Sequence, residues 1–221
     1  MGDLIRRAIS TGEMVVSALT FRRKGGPIES VAAVEQFVAT RAAFVTQKKL
    51  YGYLKTRMGT KWPQVFADEK FKDSINIAAA QIYAASLSDL AVHAVAVALD
   101  GSGLPDAAKA DIAGRAFARG LADNEAVTSA YGLDHEAART DFAKRLKDTD
   151  WNFGAMLPGN FNRSPAALIK WAPIADELKQ YDSEIVENSM KFAWIEVRED
   201  FARRIDRAAL ARELSGEAVS A

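Results

Sequence analysis

Ser86, Asp89 and His93 are the side chains in this 221-residue chain whose types and spacing could do chemistry. Spacings of three and four residues place them on one side of a helix, where a carboxylate can orient an imidazole for acid–base catalysis. Asp89 and His93 supply only two metal ligands, which is too few to hold zinc. No nucleophile-elbow or zinc-protease pattern accompanies them. We therefore expect a hydrogen-bonded network without metal or cofactor, and acid–base catalysis is the alternative.

A second candidate site is a row of cations, Arg41, Lys48 and Lys55, which recurs every seven residues in a stretch from 36 to 67 that contains no acid. At 100° per residue this row projects between two apolar rows of the same helix. Three interpretations stay open. The aliphatic stems cover the edge of an apolar seam, or the cations pair with acids of a neighbouring helix, with Asp89 as the internal candidate. Alternatively, they hold a phosphate, a carboxylate or a nucleic-acid backbone.

Aromatic and amide side chains that could complete such a ligand site occur in two places. Tyr51, Tyr53 and Trp62 lie close to the cations in the sequence, and the irregular stretch 151–163 is rich in aromatic residues and Asn. Long ordered loops of this kind either contribute to sites or close the end of a bundle, and the sequence leaves both open. The candidate ligand-binding residues are Arg41, Lys48, Lys55, Tyr51, Trp62, Trp151 and Asn160.

The stretch 74–99 is the element that would position the first site. It contains one acid, Asp89, and neither Lys, Arg, Gly nor Pro. Asp73 or Ser74 is expected to cap its start, and the glycine-rich residues 100–103 end it. A helix that is apolar nearly all round is either the centre of a bundle or a membrane span. Its polar side chains favour a buried helix, because an acid near mid-span costs about 2.5–3.5 kcal/mol in a membrane.

Two long amphipathic helices are predicted to surround this centre, over 28–58 and 181–213. The first ends at Gly59, and a seven-residue repeat along it indicates a seam for another helix. The second carries the acids that the first lacks, so that Lys48 or Lys55 would pair with them if the two helices are neighbours. The repeat consists of Phe37, Phe44, Tyr51 and Met58, and the acids are Glu184, Glu187, Glu196 and Glu199.

Residues 3–21 form a third amphipathic pattern, at the start of the chain. Their apolar residues recur at spacings of three and four, and residues 1–26 carry five cations and two acids, hence a charge of +3. The favoured interpretation is a first helix that packs on its own bundle or on a partner subunit. The alternative is a basic helix on an anionic membrane surface.

Composition restricts the class of protein further. Lys and Arg together number 29 and so do Asp and Glu, so no global field draws the chain to nucleic acid. The chain has no Cys, which excludes disulfides and thiolate chemistry. Arg6 and Arg7 interrupt any apolar signal core at the start. We expect a cytoplasmic protein, with the inner face of a membrane as the alternative.

These observations predict a single all-α domain of about six to eight helices around the buried helix 74–99. It comprises a basic amphipathic arm over 1–26, a helical domain over 27–214 and a frayed tail over 215–221. The function favoured is a non-enzymatic binding or assembly protein that self-associates through helix faces. One alternative is an enzyme or small-molecule binder that holds an anionic ligand between Arg41, Lys48, Lys55 and Ser86, Asp89, His93. The other is a peripheral membrane protein attached through 3–21.

Overall fold

The computed structural model describes residues 25–152 and 161–216, and the predicted all-α fold is confirmed there. Within these ranges the only strand-like pairing is an isolated parallel bridge between Ile28 and Ile205. The expectations for the arm up to residue 24, for Asn160 and for the tail from 217 onward lie outside the described residues.

Six helices of nine or more residues form the described part of the fold, and shorter helices connect them. The elements are α1 (Val31–Met58), a 3-10 turn (Gly59–Lys61), α2 (Trp62–Ala67), α3 (Glu69–Ala98), α4 (Asp106–Asp123), α5 (Glu125–Ala130), α6 (His135–Lys147), α7 (Arg163–Trp171), α8 (Asp176–Lys179), α9 (Ser183–Arg204) and α10 (Arg207–Leu214). Gly59 ends α1 as predicted, with a φ of 54° that glycine adopts without the steric cost of a Cβ.

The central helix begins earlier than the sequence predicted. α3 starts at Glu69 because the Asp68 carboxylate accepts a hydrogen bond from the Phe71 N–H and caps the helix. Asp73 and Ser74, the predicted caps, lie inside the helix. The first turns are polar and face solvent, so the apolar pattern that marks the rest of α3 does not reveal them.

The predicted burial of this helix is confirmed. Every residue from Ser86 to Leu99 is buried, and α3 packs against α1, α4 and α7. Among the described helices, α3 is the one long and apolar enough to cross a membrane, a test that core helices of soluble proteins also pass. Of its most apolar 18-residue window, 78% is buried inside the protein, so its apolar surface is covered by protein.

The seven-residue repeat of α1 finds its partners within the chain. The ring of Phe37 packs on Phe201 of α9 at 4.9 Å between centroids, and Tyr51 packs edge-on against Phe66 of α2 at 5.6 Å. The N-terminal end of α1 is also bonded to α10, because the Val31 N–H donates to a Glu213 carboxylate oxygen at 2.8 Å. Phe37 is thus part of the buried core, while Phe44, Tyr51 and Met58 are half-buried against it.

Helix α4 provides a test of how closely α3 is packed. A Cβ at Gly120 would collide with the buried side chain of Leu87, whereas a Cβ at Gly114 would meet its nearest neighbour, Leu146, at 3.9 Å. We predict that Gly120→Ala lowers the free energy of unfolding by about 1–3 kcal/mol through overpacking. Gly114→Ala should raise it by about 0.5–1 kcal/mol, because Ala loses less conformational entropy in a helix. Urea unfolding of both variants measures this, and stabilisation by both would contradict the close α3–α4 contact.

Candidate functional site

The Asp89 carboxylate is fully buried and contacts two other helices. Oδ1 accepts a hydrogen bond from Arg145 Nη1 of α6 at 2.8 Å. Oδ2 accepts from the backbone N–H and the hydroxyl of Ser164 in α7, at 2.8 and 2.7 Å. Trp194 of α9 extends the network by donating its indole N–H to the Ser164 hydroxyl at 3.0 Å. One acid therefore links four helices.

The contact with α7 follows from the free N–H groups at a helix start. The first-turn N–H groups of a helix have no partner within the helix, and an anion placed there is favoured by the helix dipole. Ser164 and Pro165 are residue types that favour the start of a helix. In the structure α7 starts at Arg163, and Asp89 caps its first turn from across the core. Ser164 supplies the donors for that contact.

The protonation of Asp89 reflects two opposing effects. Burial raises the pKa of Asp89, because a charge in the interior loses its hydration, while the Arg145 guanidinium and the two Ser164 donors act against that rise. The backbone N–H and the guanidinium can only donate, so the arrangement matches an ionised carboxylate. Both oxygens are already used by the protein's own donors. The geometry suits a fixed structural ion pair.

Ser86 does not join this network, although the sequence placed it on the same helix face. The Ser86 hydroxyl hydrogen-bonds to the Thr46 hydroxyl of α1 at 3.1 Å, on a different side of α3 from Asp89. His93 packs against the ring of Phe161 at 5.1 Å between centroids, and Phe161 packs on Trp194 at 4.9 Å. The three candidate catalytic side chains thus contact three different neighbours, which is not the geometry of a Ser-His-Asp relay.

The cations of α1 pair mainly with α9, as one of the open interpretations predicted. Arg41 contacts Asp200 at 2.7 Å, and Lys48 contacts Glu196 at 3.2 Å in a solvent-exposed pair. The suggestion that Asp89 receives these cations was wrong, because Arg145 occupies that position. Burial disfavours the charge of Asp200, but the hydrogen bonds and positive charges of Arg41 and Arg204 outweigh that effect and lower the pKa of Asp200.

The candidate ligand-binding residues do not surround one space. A rise of 1.5 Å per residue puts Arg41 and Lys55 about 21 Å apart along α1. The Lys55 ammonium lies over the Trp62 ring at 4.5 Å, and Trp62 packs on Phe66, on which Tyr51 also packs. Trp151 is buried in the core. The described members of the proposed ligand site therefore belong to separate parts of the fold.

A groove of about 460 Å³ lies elsewhere, between α3, α6 and α7. Six of its 17 lining residues are alanines, and the paired side chains of Arg163 and Asp141 also line it. None of the candidate catalytic or ligand-binding residues lines it. Over residues 25–152 and 161–216 no group of three or more His, Asp or Glu side chains is arranged to hold a metal.

The outward side of α9 carries a feature that the sequence analysis missed. Ile185 and Phe192 are 67% and 71% exposed, and Ile195 is 43% exposed. Ile185 and Phe192 are seven residues apart, and Phe192 and Ile195 are three apart, so all three lie on one side of the helix, together with exposed neighbours that include Asn188 and Glu199. We call this set the α9 seam: Ile185, Asn188, Phe192, Ile195, Glu199 and Ala202.

The inward stripe of α9, from Val186 and Met190 to Phe201, is buried, which agrees with the amphipathic helix predicted over this part of the chain. The sequence itself contains the outward apolar residues, Ile185, Phe192 and Ile195. They led to no prediction, because a single apolar stripe is enough to explain a surface helix. Helix α9 has two apolar sides, of which the described chain covers one.

No protein-family model, curated protein or solved structure matches this chain.

The structural role of Asp89 can be separated from that of an exposed ion pair. We predict that Asp89→Asn lowers the free energy of unfolding by about 3–5 kcal/mol, because the largely buried Arg145 guanidinium loses its counter-charge. Lys48→Met, which removes an exposed pair, should cost at most about 1 kcal/mol. Denaturant unfolding of both variants provides the comparison. Equal costs would show that Asp89 does not hold the helices together.

Proposed function

We propose that this chain is a non-enzymatic helical binding and assembly protein of the cytoplasm that self-associates through helix faces. The observation that carries the proposal is the α9 seam. Ile185, Phe192 and Ile195 lie along the exposed side of a 22-residue helix, with Asn188 between the first two. Exposed apolar rows of this kind mark protein–protein contact sites, and the helical repeat favours a helix as the partner. The partner we propose is a second copy of this chain.

The magnitude of the apolar contact indicates how strong such an association is. Complete burial of a large apolar side chain contributes about 1.5–3 kcal/mol. Given their exposed fractions, Ile185, Phe192 and Ile195 together have about 3–5 kcal/mol left to gain. Association costs about 4–15 kcal/mol in lost translational and rotational freedom. The three side chains alone therefore support weak, reversible association, and a tighter complex needs further contacts along the seam.

The two alternatives have less support. An anionic ligand between the α1 cations and Asp89 would have to displace Arg145 and Ser164 from a filled site and Asp200 and Glu196 from their pairs. Attachment to a membrane through 3–21 concerns residues outside the described ranges. Neither has an observation that favours it over helix-face contact.

Three variants test the proposal. In multi-angle light scattering over a concentration series, Phe192→Glu should weaken self-association at least about tenfold, because a charge replaces the most exposed aromatic residue of the seam. Ile195→Glu should act in the same direction. The matched control is Ile77→Glu on α3, since Ile77 is 40% exposed and Ile195 is 43% exposed.

A wild-type chain that stays monomeric at every concentration would contradict the proposal. Equal effects of Ile195→Glu and Ile77→Glu would contradict the choice of surface, because the loss would then follow from surface charge in general.

A further inference from the structure

The α9 seam has the length to accept one helix, and its charge disfavours an acidic one. From Ile185 to Ala202 it spans 18 residues, or about 27 Å at 1.5 Å per residue. The exposed charged side chains of α9 are four acids and two cations, hence a charge of −2: Glu184, Glu187, Glu196, Glu199, Lys191 and Arg203. Within the part of the chain that the structure describes, neither Glu184 nor Glu199 has an ion-pair partner.

A second α9 is a poor occupant of this seam. Two copies packed seam to seam would bring two charges of −2 together, and like charges across an interface are unfavourable. Glu199, a member of the seam itself, would lie close to the contact on both sides. The occupant that fits best is an apolar helix without an excess of acids.

The start of the described chain lies beside the C-terminal end of this helix. Arg204 Nε donates to the Gly26 carbonyl at 2.9 Å, and the Ile28 N–H donates to the Arg204 carbonyl at 2.8 Å. The bridge between Ile28 and Ile205 is parallel, so both segments run in the same direction there. The chain that precedes Gly25 therefore enters the fold next to the last turn of α9.

Residues 3–21 match the seam in length and apolar pattern, and they add no excess of acid to it. They number 19 against the 18 of the seam, and their two cations balance their two acids, while the excess of cations over residues 1–26 lies in residues 22–24. Their apolar residues cover one side of a helix: Leu4, Ile5, Ala8, Ile9, Gly12, Val15, Val16 and Leu19. Ser10 and Ser17 fall on the opposite side.

We propose that residues 3–21 form the helix that occupies the α9 seam. The segment docks on α9 of its own chain, and two copies that exchange their segments bury the same contact between them, which is a low-cost route to a dimer. This inference rests on the proposed function in one respect: the exchanged segment is the part of the second copy that the seam binds. The docking within one chain does not depend on it.

Charge substitutions in the full-length chain test the exchange. Ile9→Glu/Val16→Glu places two carboxylates on the apolar side of the segment and should weaken self-association at least about tenfold, as Phe192→Glu does. Ser10→Glu/Ser17→Glu introduces the same charges at the same spacing on the opposite side and should weaken it less. If Phe192→Glu weakens association and Ile9→Glu/Val16→Glu does not, the proposed function stands and this inference is overturned.

Docking itself has a readout that does not require self-association. The chain has no Cys, so Asn188→Cys carries a single nitroxide label near the N-terminal end of the seam. That label should broaden the amide NMR signals of residues 3–21 at every protein concentration, and Ile9→Glu/Val16→Glu should remove the broadening. The same label at Ile77→Cys should leave those signals sharp. Sharp signals with the label at 188 would overturn the inference whether or not the chain self-associates.

Discussion

A buried carboxylate at Asp89 is the interaction on which the arrangement of the helices depends. It is placed by α3, neutralised by Arg145 of α6, and hydrogen-bonded to the first turn of α7, whose Ser164 in turn receives the Trp194 indole of α9. Removing an acid from water is costly, and the cost is offset only if every partner is in place. The packing of these helices around α3 is therefore fixed by one charge and its donors.

The candidate catalytic residues contact different neighbours within the fold. Both carboxylate oxygens of Asp89 accept hydrogen bonds from Arg145 and Ser164, Ser86 hydrogen-bonds to Thr46, and His93 packs on Phe161. Two of the α1 cations also have partners in the protein, since Arg41 and Lys48 pair with acids of α9. By contrast, three large apolar side chains on the outward side of α9 stay exposed: Ile185, Phe192 and Ile195.

The sequence was enough to predict the main helices, but not which side chains of distant helices contact each other. The lack of charge in α3 predicted its burial, Gly59 predicted the end of α1, and the acids of α9 predicted pairs with α1. Arg145 lies 56 residues from Asp89, so no local pattern connects them. The start of α3 was misplaced because Asp68 caps polar turns. The outward row of α9 required knowing which side of that helix faces the core.

The central claim has two parts: the Asp89 network is buried and fully engaged by the protein's own donors, and the chain self-associates through the outward side of α9. Hydrogen exchange of the wild-type chain as a function of concentration tests both halves at once. The account predicts very slow exchange around Asp89 at every concentration and slower exchange in residues 183–204 as self-association increases. Exchange near Asp89 as fast as at the chain ends, or exchange in α9 that does not change while the chain self-associates, would contradict it.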